Sequence, residues 1–258
     1  MSRNQILAIA GVGLVVVLIG GYLAYDNVLR GDAAAPLALP SASAPVAGAT
    51  ATTAASEAPA SDVPAASEPA ATSGAGDGDV AGTWTVAEGT VAGYRVREQL
   101  ANLPAETDAV GRTDDVTGSI TLVAAGDGAQ LTEGSITVDT TTIASDEDRR
   151  DNRMRSEGLQ TDQFPTATFV ITQPIDIPAS ALEGTPADVT LTGDLTLHGV
   201  TKSVTIPAQA QLADGQVQVA GSLTFPLSDF GIIAPNVGGF IISIADEGTL
   251  EFVAVFTK

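Results

Sequence analysis

The dominant pattern in the C-terminal two thirds of the sequence is an alternation of apolar and polar residues with a period of two. Successive side chains of a β-strand point to opposite faces, so this alternation predicts strands that are buried on one side. Glycine-containing turns such as 126–128, 198–199 and 214–215 separate the runs. The alternating runs are residues 83–86, 90–97, 116–123, 135–142, 166–173, 189–197, 216–225 and 248–257. Residues 145–159 lack the alternation and are predicted to form a loop with a helical turn.

Short strands joined by tight turns are typical of an antiparallel sandwich or an up-and-down barrel. The apolar face of these runs supplies the side chains that are predicted to face the interior. Alanine, glycine and valine are common there, which favours an under-filled interior, but a solidly packed core remains an equal alternative at this point. The candidate positions for binding an apolar ligand are Tyr94, Ile120, Leu122, Ile136, Val138, Phe169, Ile171, Leu191, Leu195, Phe225, Phe230, Ile232 and Phe252.

Residues 6–25 form an uncharged and strongly apolar run. A helix of about 20 residues spans a bilayer core, so residues 1–25 are predicted to be a signal-anchor transmembrane helix. Arg3 precedes the run, and the charges that follow it are net negative, which places the N-terminus in the cytoplasm. We therefore expect a single-pass protein of the cell membrane with the rest of the chain outside the cytoplasm. A cleaved signal peptide is the alternative, and it exports the same residues.

Residues 26–80 are dominated by Ala, Pro, Ser, Thr and Gly and show no sustained apolar periodicity. Such a segment buries too little surface to offset the entropy of ordering, so it is predicted to be a disordered linker. An O-glycosylated stalk is the alternative interpretation of the same composition. Residues 81–258 are then predicted to be the folded domain.

Composition excludes several classes of function. A formal net charge of −20 argues against a nucleic-acid-binding protein, which needs a cationic face for phosphates. The sequence has no Cys and one His, which excludes disulfides, thiolate metal sites and multi-His metal sites. No nucleophile motif accompanies that single histidine, His198. We therefore expect neither enzymatic activity nor a cofactor, and we expect His198 to stabilise a turn.

The basic residues of the predicted domain are concentrated in residues 149–155. If this segment is helical, Arg149 and Arg153 share one face and could bind a phosphate-containing head group through bidentate hydrogen bonds. Acidic residues at 146–148, 151 and 157 are interleaved with them. A network of salt bridges that closes one end of the domain is therefore the competing interpretation.

Four segments resemble the YceI-like, polyisoprenoid-binding family. They are residues 150–156 (RDNRMRS), 164–169 (FPTATF), 192–202 (TGDLTLHGVTK) and 228–232 (SDFGI), and they follow one another in the family's order. The chain departs from the family at Leu227, where the family has arginine, and in lacking a histidine in residues 88–97.

The resemblance covers about residues 83–258 and implies an all-β, eight-stranded antiparallel lipocalin-like barrel. It also implies an elongated apolar interior that holds a polyisoprenoid lipid such as a quinone or a prenyl phosphate. Together with the N-terminal segment, this predicts an extracytoplasmic, membrane-tethered protein that sequesters or carries the lipid. The alternative is a ligand-free β domain displayed on a stalk, with a structural or interaction role. The oligomeric state is not specified by any of these features.

Overall fold

The computed structural model describes residues 33–40, 80–100, 106–234 and 241–258. Within these ranges the chain forms one antiparallel sheet of eleven strands. The strands are β1 Gly82–Val86, β2 Val91–Leu100, β3 Thr107–Thr113, β4 Val116–Ala125, β5 Gly128–Asp139, β6 Thr166–Ile171, β7 Ile175–Ile177, β8 Ala187–Leu197, β9 Val200–Ala213, β10 Gln216–Pro226 and β11 Ile241–Thr257.

The sheet closes into a barrel because β11 pairs with both ends of the strand order. The ring runs β1-β4-β5-β6-β8-β9-β10-β11, and Val86 of β1 lies opposite Phe256 of β11. β2 continues along β11 from the pair Val91 and Val253, and β3 pairs with β2 as β4 pairs with β1. β1 with β2, and β3 with β4, therefore act as two long bent strands of an eight-stranded barrel, as predicted.

Helical structure in the described residues is confined to short segments at connections. A 3-10 turn at Thr140–Thr142 and helix α1 at Asp148–Arg153 follow β5, and α1 continues into a π-helical turn at Met154–Gly158. Helix α2 at Ala179–Leu182 precedes β8, and a 3-10 turn at Leu227–Phe230 follows β10. The loop with a helical turn that was predicted at residues 145–159 is confirmed.

Two predicted strands are too long. The strand predicted at 166–173 ends at Ile171, and the larger difference is in β5. The alternation predicts a strand over 135–142, but β5 ends at Asp139. The Asp139 carboxylate accepts hydrogen bonds from the backbone N–H and the hydroxyl of Thr141, at 2.8 and 2.5 Å. This cap stabilises the 3-10 turn, because Asp side chains compete with strand pairing by bonding to nearby backbone groups.

The β8–β9 hairpin explains the position of His198. His198 and Gly199 both have positive φ, 51° and 73°, as a two-residue turn of this kind requires. The Nδ1–H of His198 donates a hydrogen bond to the carbonyl oxygen of Phe230 at 3.1 Å, and its ring packs edge-on against Phe164. The predicted role of His198 in stabilising a turn is confirmed, and the contact also ties the hairpin to the 3-10 turn after β10.

The barrel interior is packed at one end. There the buried side chains of Trp84, Ile120, Leu122, Ile206 and Phe256 form part of one core cluster. A second cluster, around Leu195, Leu197, Phe230 and Ile232, lies toward the other end. The periodicity therefore assigns the inward faces correctly, since the inward side chains of β4 and β8 belong to these clusters.

The described ranges contain no helix with the length and hydrophobicity needed to cross a membrane. The transmembrane helix predicted at residues 6–25 lies outside the described residues, and so does most of the predicted linker. Residues 33–40 are the described part of that linker.

Candidate functional site

A cavity of about 490 Å³ occupies the end of the barrel away from Trp84. This volume is within the range of roughly 300–1,000 Å³ that is typical of small-molecule sites. Its walls come from β2, β3, β5, α1 with its π-helical turn, β6, β8, β10 and β11. Small inward side chains create the space, because Ala92, Ala109 and Ala167 stand at positions where larger residues would fill the barrel.

The cavity surface is mainly apolar. Val138, Leu197, Phe225, Ile232 and Leu250 are among the residues that line it. Burying apolar groups of a ligand against such walls contributes about 0.8 kcal/mol for each methylene. The cavity can therefore bind an elongated hydrocarbon chain without any polar contact along its length.

Tyr94 brings a polar group to this apolar space. Its hydroxyl is buried, and it has no hydrogen-bond partner among the described residues. Burial is the main reason that the pKa of Tyr94 rises to about 12. The hydroxyl is therefore neutral at physiological pH and free to donate to, or accept from, an oxygen of a bound molecule.

Charged groups line one part of the cavity. The guanidinium of Arg150 forms an ion pair with the buried carboxylate of Glu98 at 2.9 Å and a second one with Asp146. Burial by itself lowers the pKa of Arg150, but the two carboxylates outweigh it and raise the pKa above its ordinary value. Arg150 is therefore permanently charged, with its charge largely compensated by the protein.

Arg149 and Arg153 differ from Arg150 in this respect. Both line the cavity, and neither guanidinium has an ion-pair partner within the ranges that the structure describes. Arg149 is exposed and Arg153 is half-buried. Both predicted interpretations of the arginine cluster thus have a physical counterpart: Arg150 forms a salt-bridge network, and Arg149 with Arg153 leaves two cationic groups at the cavity.

The structure distributes the predicted interior residues over both ends of the barrel. Tyr94, Val138, Phe225 and Ile232 line the cavity. Nine do not line it and lie in or against the packed core clusters: Ile120, Leu122, Ile136, Phe169, Ile171, Leu191, Leu195, Phe230 and Phe252. Alternation identifies the inward face of a strand, but it carries no information on which end of the barrel is filled. Ligand contact stays a prediction for all of them.

The sequence model of one protein family, the YceI-like domain, matches residues 84–256, which is most of the chain. The chain belongs to the YceI-like domain family. It is 35% identical over 152 residues to a UPF0312 protein of Shewanella denitrificans, a match that covers 54% of this chain and 73% of the relative. A UPF0312 protein of Pseudomonas paraeruginosa is 36% identical over 130 residues, with 47% and 62% covered.

Among solved structures, the chain resembles a polyisoprenoid binding domain from Saccharophagus degradans that is implicated in plant cell wall breakdown. The TM-score is 0.52 at 18% sequence identity, and the match covers 69% of this chain and 98% of that domain. At this level of identity, the likeness establishes the fold of the YceI-like domain.

The four segments that carry the resemblance to the YceI-like family converge on the cavity. Residues 150–156 form most of α1 and its π-helical turn and contribute Arg150 and Arg153 to the lining. The other three segments contribute Ala167, Leu197 and Ile232. Segments far apart in the sequence are therefore brought to one site of the YceI-like domain.

Several lining residues escaped the sequence analysis, among them the ion pair of Glu98 and Arg150. Glu98 lies two residues beyond Val96 on the inward face of β2, and a charged residue at an inward position was the available signal. Arg150 lies beside the chosen Arg149 and Arg153, but its choice of partner depends on a contact with β2 that is 52 residues away in sequence. Leu227, the position at which the YceI-like family has arginine, also lines the cavity.

The raised pKa of Tyr94 has a consequence for stability in alkali. In the unfolded chain Tyr94 loses its proton at its ordinary pKa of 10.0, whereas in the folded protein it keeps it up to about pH 12. The unfolded state is therefore favoured as pH rises through this window, by at most about 1.4 kcal/mol per pH unit. We expect Tyr94→Phe to have a shallower loss of stability across the window, measured by urea unfolding. Identical slopes for the two proteins would contradict the burial of this hydroxyl.

Proposed function

We propose that this protein binds a polyisoprenoid lipid in the cavity of its barrel and holds it outside the cytoplasm, tethered to the membrane by residues 6–25. The observation that carries the proposal is an apolar cavity of about 490 Å³ whose lining includes two arginines without an ion pair, and a tyrosine hydroxyl without a hydrogen bond, to any residue that the structure describes. The lipid tail would occupy the apolar walls, and the head group would lie near Arg149 and Arg153. The fold shared with the Saccharophagus polyisoprenoid binding domain supports this choice of ligand class.

Binding without chemical conversion is the activity that we assign to the cavity. The single histidine, His198, already hydrogen-bonds a backbone carbonyl, and it is not part of the cavity lining. Sequestration requires only that the tail exchange water for apolar walls. The membrane tether would keep the cavity close to the bilayer from which such a lipid is drawn.

The experiment that tests the proposal is extraction of the purified full-length protein with organic solvent, followed by mass spectrometry of the lipids. We expect a polyprenyl or quinone species at a stoichiometry near one per protein. A protein that carries no such lipid, and that also fails to bind added long-chain isoprenoids, would contradict the proposal and favour a ligand-free β domain displayed at the surface.

A prediction about the head group follows from the positions of Arg149 and Arg153 at the cavity. Arg149→Gln combined with Arg153→Gln is expected to weaken binding of a prenyl phosphate by about tenfold, because charge-assisted hydrogen bonds to the phosphate are lost. Binding of an uncharged prenol of the same length should not change. Titration of both lipids against the protein in detergent measures the two affinities.

Arg97→Gln is the matched control, because Arg97 lies on the outer face of β2 and pairs with Asp108 at 2.9 Å. It removes the same kind of charge but should leave both affinities unchanged. Equal losses for the phosphate and the prenol in the double variant would mean that these arginines stabilise the cavity rather than bind a head group.

A further inference from the structure

The last strand of the barrel, β11, is apolar on both faces over residues 252–256. Phe252, Ala254 and Phe256 point inward, and the alternate residues Val253 and Val255 point outward. An outer barrel surface is normally polar, so two valines on it predict that something covers them. In this structure both are covered, since only 7% and 5% of their surfaces are exposed.

Elsewhere on the outer surface such residues are open to solvent. Val123 on β4 and Val170 on β6 have 40% and 43% of their surfaces exposed. The cover over β11 is therefore a local feature of this part of the barrel. It extends to β10, where the outward Ala220 is also buried.

The cover comes from the chain's own linker together with Ala87, which lies between β1 and β2. Residues 33–40 (AAAPLALP) lie against the outside of the barrel, and Leu37 and Leu39 pack on Ala220, Val253 and Val255. Ala38, between the two leucines, is exposed. This alternation of contact and exposure is the pattern of an extended segment with one side on a surface.

Polar contacts hold the same segment from its N-terminal side. The guanidinium of Arg95 donates a hydrogen bond to the carbonyl oxygen of Ala34 at 2.6 Å, and that of Arg112 donates one to the carbonyl oxygen of Ala35. Both arginines also pair with the buried carboxylate of Glu251, at 3.5 and 2.7 Å. The arginines therefore link the outer strands to the backbone of residues 33–40.

The carboxylate of Glu251 contacts the segment directly as well, because it accepts a hydrogen bond from the backbone N–H of Leu37 at 3.5 Å. Pro36 and Pro40 bias the residues before them to extended backbone, which lowers the entropy lost when the segment binds. Side chains supply all of these polar contacts, since β11 already has β10 and β2 as neighbours and offers no free edge.

We propose that residues 33–40 are a docking strap, and that the outer face of β2, β3, β10 and β11 is the surface that binds it. The strap also sets how far the barrel can lie from the membrane, and this second part of the proposal rests on the proposed function. The strap divides the linker into residues 26–32, which connect the predicted membrane segment to the docking point, and residues 41–79, which connect the docking point to β1.

Docking shortens the reach of the barrel from the membrane. A free linker of residues 26–80 has a root-mean-square span of about 40 Å. With the strap bound, only the seven residues 26–32 separate the predicted membrane segment from the barrel surface, and they extend to about 25 Å at most. The strap would therefore hold the domain against the bilayer, while residues 41–79 no longer contribute to its distance.

Docking itself can be tested without a membrane, on the full-length protein in detergent. The natural sequence has no Cys, so spin labels at Ala38→Cys and at the exposed outer residue Thr190→Cys report one distance by pulsed electron paramagnetic resonance. We expect a single narrow distribution. Leu37→Asp with Leu39→Asp should broaden it severalfold, because two carboxylates would face the apolar outer surface.

Val170→Asp is the matched control, since it adds a carboxylate to an exposed valine that the strap does not contact. It should leave the distribution narrow. Two outcomes would overturn the strap. One is a broad distance distribution in the labelled protein that carries no aspartate substitution. The other is a narrow distribution that stays narrow in Leu37→Asp with Leu39→Asp.

The effect on the tether is tested by lengthening the linker in two places in the full-length protein in lipid nanodiscs. The same Gly/Ser insertion is placed within residues 26–32 or within residues 41–79, and energy transfer from a barrel label to labelled lipid measures the distance. We expect only the first insertion to lower the transfer. Equal effects of both insertions, with docking intact in detergent, would overturn the role of the strap at the membrane. Failure of the protein to join the lipid at all would instead contradict the membrane tether in the proposed function.

Discussion

Glu251→Gln is expected to lower the free energy of unfolding by about 3 kcal/mol, which is among the largest effects that a near-isosteric substitution in this domain should produce. The Glu251 side chain is only 3% exposed, and it is the shared partner of two guanidiniums, those of Arg95 and Arg112. Glutamine keeps the shape but removes the charge. Arg112 then loses its ion-pair partner beneath the strap, whereas Arg95 keeps Asp108 at 3.2 Å, and breaking a buried pair by removing one partner is costly.

The comparison for this prediction is Asp229→Asn. Asp229 pairs with Lys202 at 2.8 Å, but both side chains are well exposed, at 45% and 40%. A surface pair of this kind contributes at most about 1 kcal/mol. Urea unfolding of the two variants and the natural protein measures the difference. Similar losses in both would show that burial beneath residues 33–40 adds nothing to the Glu251 cluster.

Ala109→Phe is expected to weaken lipid binding roughly fiftyfold by filling the cavity. Ala109 points inward from β3 and lines the cavity opposite Val96. A phenyl ring in this space would displace about three methylene groups of a bound chain, at about 0.8 kcal/mol each, and a loss of about 2.4 kcal/mol corresponds to that factor. Titration with a long-chain prenol gives the affinity directly.

Val110→Phe controls for the added ring, because the neighbouring residue of a strand faces the opposite side of the sheet. It should leave the affinity unchanged. Thermal unfolding of Ala109→Phe shows whether the variant is folded, and Ala109→Val provides a smaller filling of the same site if it is not. Unchanged binding in folded Ala109→Phe would mean that the lipid does not occupy this cavity.

The candidate site was only partly accessible to sequence reasoning. Tyr94, Val138, Phe225 and Ile232 were identified as inward residues and do line the cavity. The nine that pack elsewhere have the same alternation, so no local pattern separates the two groups. Arg149 and Arg153 could be chosen because charge clusters are visible in a sequence, whereas the pairing of Arg150 with Glu98 depends on two distant segments meeting.

The outer surface of the barrel was also only partly accessible to sequence reasoning. The uninterrupted apolar stretch at residues 252–256 (FVAVF) is visible in the sequence and indicates a strand that is covered on both faces. What covers it could not be read from the pattern. Residues 33–40 share the abundance of Ala and Pro with the rest of the predicted linker, and they hold two of its three leucines. Nothing local in that composition specifies β11 as their partner, because their contact with Glu251 spans 214 positions in the chain.

The sequence by itself determined most of the strands, although not β3, β7 or β9, together with the inward faces, the turn at His198 and the YceI-like family. These depend on a two-residue period, on local backbone preferences and on short motifs. Only the tertiary structure decided that β11 closes the ring, that one end of the barrel stays open as a cavity and that residues 33–40 bind the outside. These features depend on contacts between residues far apart in the chain. Such contacts form only when the whole barrel is closed, so no single stretch of sequence contains them.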